Sequence, residues 1–202
     1  MLSLSEENYL KAIYHLEWEH PDGVSTNAIA EKMDTKASSV TDMLKKLSDK
    51  KLVKYKKYQG VKLSTAGNIK ALKVIRKHRL WEVFLLEKLQ FGWEEVHAIA
   101  EQLEHIQSDK LTDRLEAFLD YPKRDPHGDP IPDAEGKYRV SNTLLLSQLT
   151  AGQQAILVGV KDSSAEFLYF LDKHSIRLGE TLSIEEIEEF DQSYLLSFPH
   201  KS

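Results

Sequence analysis

Cysteine is absent from all 202 residues. That excludes disulfides and thiolate chemistry, fits a cytosolic protein, and leaves only oxygen and nitrogen ligands for any metal. Apolar residues never run on for anything near the roughly 20 needed to cross a bilayer. The opening "MLSLSEENYLKAIYHL" carries two acids before its first lysine, so no signal peptide is expected. Proline is scarce as well. Of six prolines, four fall in the 17 residues "YPKRDPHGDPIPDAEGK", 121–137, together with two glycines, which reads as an extended connector. Acid is the last scarcity, and a local one. The chain carries a net charge of −5, yet residues 36–80 hold 14 Lys/Arg against two Asp/Glu. Half of the basic residues packed into one short segment imply a surface for a polyanion.

What is present is mostly helical periodicity. "SEENYLKAIYHLEWEH" places Tyr9, Leu10, Ile13, Leu16 and, at its edge, Trp18 on one stripe, and "PDG" ends it. "STNAIAEKM" reads as a short helix opened by a Ser or Thr cap. A third helix runs from about Ala37 to Lys50 and buries Val40, Met43, Leu44 and Leu47. "LVKYKKYQGVKLS" alternates around "KYQG" as a β-hairpin. Helix, short helix, turn, helix, hairpin is the order of a winged helix-turn-helix. In that motif the second helix enters the major groove by its early residues. Here these are Lys36, Ser38, Ser39, Thr41 and Asp42, with Lys45, Lys46, Lys54, Lys56, Lys57 and Lys62 suited to phosphates. Double-stranded DNA is the expected partner.

Residues 64–89 read as one long helix capped near Ser64 or Thr65, with a break at "FGW". "EEVHAIAEQLEHI", 94–106, follows as an amphipathic helix, then a short one opened by Ser108. Beyond the connector, short apolar runs between glycine turns predict a small, partly open β-barrel with one helix at 164–173.

The 94–106 helix carries the chemistry. His97, Glu101, Glu104 and His105 fall within roughly a 100° arc, opposite Val96, Ile99, Ala100, Leu103 and Ile106. Such a face serves equally as a solvated one with i,i+4 pairs or as a gathering of metal ligands. The long helix offers a second pair one turn apart, His78 and Glu82. Packed side by side, the two helices would bring His78, Glu82 and His97 to one ion, while Glu101, Glu104 and His105 would hold another. An enzymatic di-metal site is disfavoured. There is no His-Glu-x-x-His, and Gln102 stands three residues before His105 where a di-iron helix places Glu. A winged-helix regulator that answers to an organic ligand is the other alternative.

Several segments together resemble the diphtheria toxin repressor and manganese transport regulator family of metal-dependent repressors: "SEENYLKAIYHLE", "SSVTDMLKKL", "RKHRLWEVFL", "VHAIAEQLEHIQSD" and "DPHGDPIP". "SIRLGETLSI" is similar to the SH3-like, FeoA-type domain of longer members. The resemblance implies a mainly α chain with a small β domain. Residues 1–64 would form the winged DNA-binding domain, 65–137 a helical metal-binding and dimerisation domain with its connector, and 138–202 the SH3-like domain, which in the family usually continues past "SFPHKS". It implies an ancillary site at His78, Glu82 and His97, and a primary site at Glu101, Glu104 and His105 completed by Asn8. It also implies a secondary ion at Asp125 and His127, with Asp162 and Glu166 as further donors.

Two departures stand out. Asn8 is neither the methionine of iron sensors nor the aspartate of manganese sensors, and Lys11 lacks the carboxylate that some manganese sensors carry there. Glu101 in place of cysteine is the manganese habit. Mn(II) is therefore expected first and Fe(II) second, with up to two ions per subunit. The expected function is a homodimeric repressor on a palindromic operator, active when metal is plentiful. Metal would relieve a repulsion between Glu101 and Glu104 and tie the winged domain to the dimer core.

Overall fold

The computed structural model describes residues 2–56, 60–138 and 143–199. Lys57 and the centre of "KYQG" lie outside them. Three helices open the chain: α1 (Leu4–Glu17), α2 (Thr26–Lys32) and α3 (Ala37–Asp49). Ser3 starts α1 with a capping box, its hydroxyl accepting from the Glu6 N–H while Glu6 reaches back to the Ser3 N–H. Ser25 caps α2 in the same sense. The hairpin strands β1 (Val53–Lys56) and β2 (Gly60–Leu63) pair antiparallel in the register Val53↔Leu63. Val24 bridges to Val61, which ties the start of α2 to the wing.

One apolar core joins these pieces. Leu10, Ile13, Val24, Ile29, Val40, Leu44, Leu47 and Val61 have no exposed surface, and Ala71 of the following helix closes the group. Trp18, expected at the edge of the α1 stripe, is instead 76% exposed. It stands at the C-cap, past the last turn that packs.

The long helix α4 (Thr65–Leu89) starts on a Ser64 hydroxyl that accepts from the Gly67 N–H and ends at Gln90 in the left-handed region. It packs against α5 (Val96–Leu103) and α6 (Asp109–Phe118) through Leu80, Val83, Leu85, Val96, Ala100 and Leu115. The α5 helix is shorter than its periodicity predicts, because Glu104 caps it and turns fully inward where the pattern expects a solvent position. Ion pairs described below outweigh that pattern.

The C-terminal unit places β3 (Gln154–Ile156), α7 (Ala165–Lys173), β4 (Thr181–Ile187) and β5 (Tyr194–Ser197) around a small core of Leu168, Leu171, Leu182 and Ile184. Its described strands form an antiparallel sheet in the order β3-β4-β5, with a bulge between Ile184 and Glu186. The barrel expected from sequence is thus a three-stranded open sheet with one helix among the described residues. No helix of these residues is long and apolar enough to cross a membrane.

Gly67 marks the tightest junction between the winged unit and α4. A Cβ there would lie 1.9 Å from the Leu52 carbonyl oxygen. Gly67→Ala must push α4 away from the hairpin, at a cost of about 1–3 kcal/mol or more. Urea unfolding of the variant should show that loss, whereas unchanged stability would mean the junction gives freely.

Candidate metal centre

Three helices meet at one buried carboxylate. Glu104, at the end of α5, has no exposed surface. Its Oε2 lies 2.6 Å from Nδ1 of His78 on α4, and its two oxygens lie 2.7 and 2.8 Å from Nζ of Lys11 on α1. The same ammonium donates to Glu101 Oε1 at 3.0 Å. The expected repulsion between Glu101 and Glu104 is therefore not present: two cationic partners stand between and beside them. Nor are Glu101, Glu104 and His105 drawn to a common point among the described residues. His105 turns its Nδ1 to Glu7 Oε2 at 2.7 Å and keeps Nε2 3.6 Å from Glu104. Asn8 sits beside them with its Oδ1 buried and without a hydrogen-bond partner. An orphaned amide oxygen on a residue that shares a cleft with carboxylates and imidazoles fits a divalent cation.

On the other side of His78 lies a second gathering. His78 Nε2 is 2.9 Å from Glu82 Oε1, and His97 Nδ1 is 3.1 Å from the same oxygen. His127 Nδ1 comes within 3.7 Å of it. His78, Glu82 and His97 form one trio of ligand atoms within 4.8 Å, and Glu82, Asp125 and His127 form another. The two sites expected from the motifs thus share Glu82. Burial would raise the Glu82 carboxyl, but the hydrogen bonds of His78 and His97 hold it below the ordinary carboxylate value. Burial would lower His78, yet its bonds to Glu104 and Glu82 push it up to about 9.

Asp125 behaves the opposite way to Glu82. Burial and the Glu82 charge push it up to about 7, against the pull of Arg79. Its Oδ1 accepts the His127 and Asp129 N–H groups at 2.9 Å, which shapes the connector into a tight loop. Gly128 at the apex, with φ +92°, admits the backbone of Val158 and Gly159 where a Cβ would collide. The C-terminal unit docks there: the Val160 N–H donates to the His127 carbonyl, and Trp93 donates its indole N–H to Asp172. A cleft of about 510 Å³ runs between the three units and is lined by Asn8, Lys11, His78, Glu82, His97, Glu101, Asp125 and His127, roofed by Val160, Lys161 and Ser163. Asp162 does not line it; its carboxylate caps the Ser164 N–H at 2.8 Å, and Glu166 is exposed on α7.

Glu7, Lys11 and Arg79 went unnoticed as partners of the ligands. Glu7 and Lys11 are one turn apart on the face of α1 that carries Asn8, and a buried acid in a first turn was the available signal. Arg79, beside His78, holds Asp129 at 3.0 Å and Asp125 at 3.4 Å.

The residues expected to meet DNA are distributed along α3. Val40, Leu44 and Leu47 point inward with no exposure, while Lys36, Ser38, Ser39, Asp42, Lys45 and Lys46 are exposed. Thr41 is half-buried and returns its hydroxyl to the Ala37 carbonyl, and Asp42 pairs with Lys45 at 3.2 Å. On the wing, Lys54 and Lys62 stand directly opposite each other across the strands. Like charges in register oppose strand pairing unless an anion neutralises them.

Two family models match the chain: "Iron dependent repressor, N-terminal DNA binding domain" over residues 1–61, and "Iron dependent repressor, metal binding and dimerisation domain" over 64–133. The iron-dependent repressor IdeR of Mycobacterium bovis is 32% identical over 159 residues, 75% of this chain and 69% of that protein. The chain belongs to the diphtheria toxin repressor and manganese transport regulator family. Its members are metal-dependent transcriptional repressors. The IdeR of Mycobacterium leprae is 35% identical over 126 residues, and the match spans about half of its length, 54%. Among solved structures, a manganese-dependent transcriptional repressor in complex with manganese superposes with a TM-score of 0.85 at 33% identity, covering 97% of this chain and 90% of that one. ScaR with bound Cd2+ does so at 0.80 and 33%, covering 97% and 91%.

Folded and metal-free, Asp125 and His78 each hold a proton that the unfolded chain releases at lower pH. Their folded values, about 7 and about 9, stand above the ordinary 3.8 and 6.5. Each contribution is complete below the unfolded value and lost as pH rises through the folded one. Metal-free protein should therefore lose urea resistance between about pH 4 and about pH 9. In Asp125→Asn the decline should be shallower, since the neutral amide replaces the neutral acid. Equal slopes in both proteins would remove Asp125 from this account.

Proposed function

We propose that this family member senses Mn(II) first and Fe(II) second, dimerises, and represses from a palindromic operator when the ion is abundant. The observation that carries this is the buried, unpartnered Asn8 Oδ1 on α1, which lines one cleft with Glu101 of α5, His78, Glu82 and His97. Asn8, Glu101, Glu104 and His105 would hold one ion. His78, Glu82 and His97, with Asp125 and His127 on the same Glu82 carboxylate, would hold a second. Oxygen and imidazole donors without sulfur suit Mn(II) or Fe(II) by ligand type. The neighbours solved with manganese and with Cd2+ support a divalent ion in this setting.

When bound, the cation supplies a link between α1, part of the DNA-reading unit, and α5, which packs on α4. Glu7 orients His105 by accepting a hydrogen bond from its Nδ1–H, so that Nε2 is left toward Glu104. Because α1 shares its core with α3, holding α1 to α5 fixes the direction in which Lys36, Ser38, Ser39 and Thr41 present themselves. Two such helices in a dimer then reach successive major grooves, with Lys45, Lys46, Lys54 and Lys62 meeting phosphates and Lys57 of the wing assigned to the same task. Metal favours that state only by binding it more tightly, and DNA must reciprocally tighten metal binding.

An operator fragment titrated with repressor at buffered free Mn(II) should be retarded only above a threshold of metal. Glu104→Ala should lose the metal response, about 100-fold in affinity or more. Equal retardation with chelator and with Mn(II) would end the proposal.

A further inference from the structure

The Lys11 side chain is 14% exposed, and its ammonium touches three carboxylate oxygens, one of Glu101 and both of Glu104. It stands one turn beyond Asn8 on the same face of α1, so the lysine and the unpartnered amide oxygen enter the cleft together. Lys32 and Lys161 line the cleft as well, and it is Lys11 whose ammonium pairs with Glu101 and Glu104. An ion drawn to the oxygens of Glu101 and Glu104 would fall where Nζ now lies, and it would meet a like charge there.

We propose that Lys11 is the specificity-determining residue of this site: a tethered monovalent cation that occupies the Glu101 and Glu104 pair and must be displaced by metal. This rests on the metal reading of the pocket and deepens it. Three consequences follow from charge and reach alone. Without metal, the lysine holds α1 to α5 in an arrangement of its own, which the ion must replace before it can set the direction of the recognition helix. The exchange replaces one positive charge by two at the same oxygens, which favours divalent over monovalent ions. The energy lost on releasing the ammonium sets the metal concentration at which the exchange occurs. Lys11 thereby tunes the threshold without itself being a ligand. Its four-carbon stem can carry the ammonium outward past Glu101 and His97, whose side chains are half exposed.

The test uses the full chain and two neutral variants, Lys11→Met and Lys11→Gln, beside Glu104→Gln. Mn(II) affinity is read by calorimetry at fixed ionic strength, and thermal unfolding is read in excess chelator. Both neutral variants should bind Mn(II) about tenfold or more tightly than the wild type. Both should also unfold at lower temperature in chelator and recover in saturating Mn(II). Using both a Met and a Gln side chain separates charge from packing. Wild-type affinity, or weaker, in both variants overturns the competitor role, as does an unchanged unfolding temperature in chelator. If the wild type and Glu104→Gln take up equally little Mn(II), the metal reading of the pocket fails instead, and the chelator arm still reports whether the lysine clips α1 to α5.

Discussion

A carboxylate with no exposed surface, Glu104, sits where α1, α4 and α5 converge, and its two oxygens are shared between Lys11 and His78. A buried charge is tolerated only when it is paired and hydrogen-bonded, and removing one partner is strongly destabilising. Each neighbouring feature follows from this constraint. The α5 helix stops because its last residue must face inward. His78 keeps a proton it would otherwise shed. Lys11 folds back from its helix instead of reaching into water. The same arrangement makes the site responsive, because the partners that satisfy Glu104 belong to separate structural units.

The sharing of groups continues outward. Glu82 accepts from His78 and His97 and lies near His127, so the second gathering is coupled to the first through one imidazole. Asp125 and His127 are positioned by the connector loop, and that loop is pressed against the C-terminal sheet at Gly128. A change at either cluster is therefore felt by α1, by the helical core and by the C-terminal unit. Coupling of this kind needs no long pathway. It is a chain of adjacent ion pairs running from Lys11 through Glu104 and His78 to Glu82.

Opposed to this tightly satisfied centre is the α3 and wing surface, where charge is left at the solvent. Lys54 and Lys62 face each other across the hairpin, and the apolar half of α3 is spent entirely on the core. The energetic conflict is solved inside and left open outside, the division expected of a switch that reads a polyanion.

Much of this was legible in the chain itself. Periodicity placed six of the helices and the hairpin, serine caps marked the starts of α2, α4 and α6, and the charge bias of residues 36–80 set apart the basic segment that carries α3 and the wing. These are local properties: a 3.6-residue period and a capping hydroxyl act over one or two turns. The residue types at His78, Glu82 and His97 likewise pointed to a cluster that the structure brings together. What only the tertiary structure decided is which of those side chains meet. Glu82 became common to two trios because the 125–129 loop folds over α4. Lys11, overlooked as anything but a missing carboxylate, became the partner of residues about ninety positions away. Pairing across such distances depends on how helices pack, and no periodicity within a single helix encodes it.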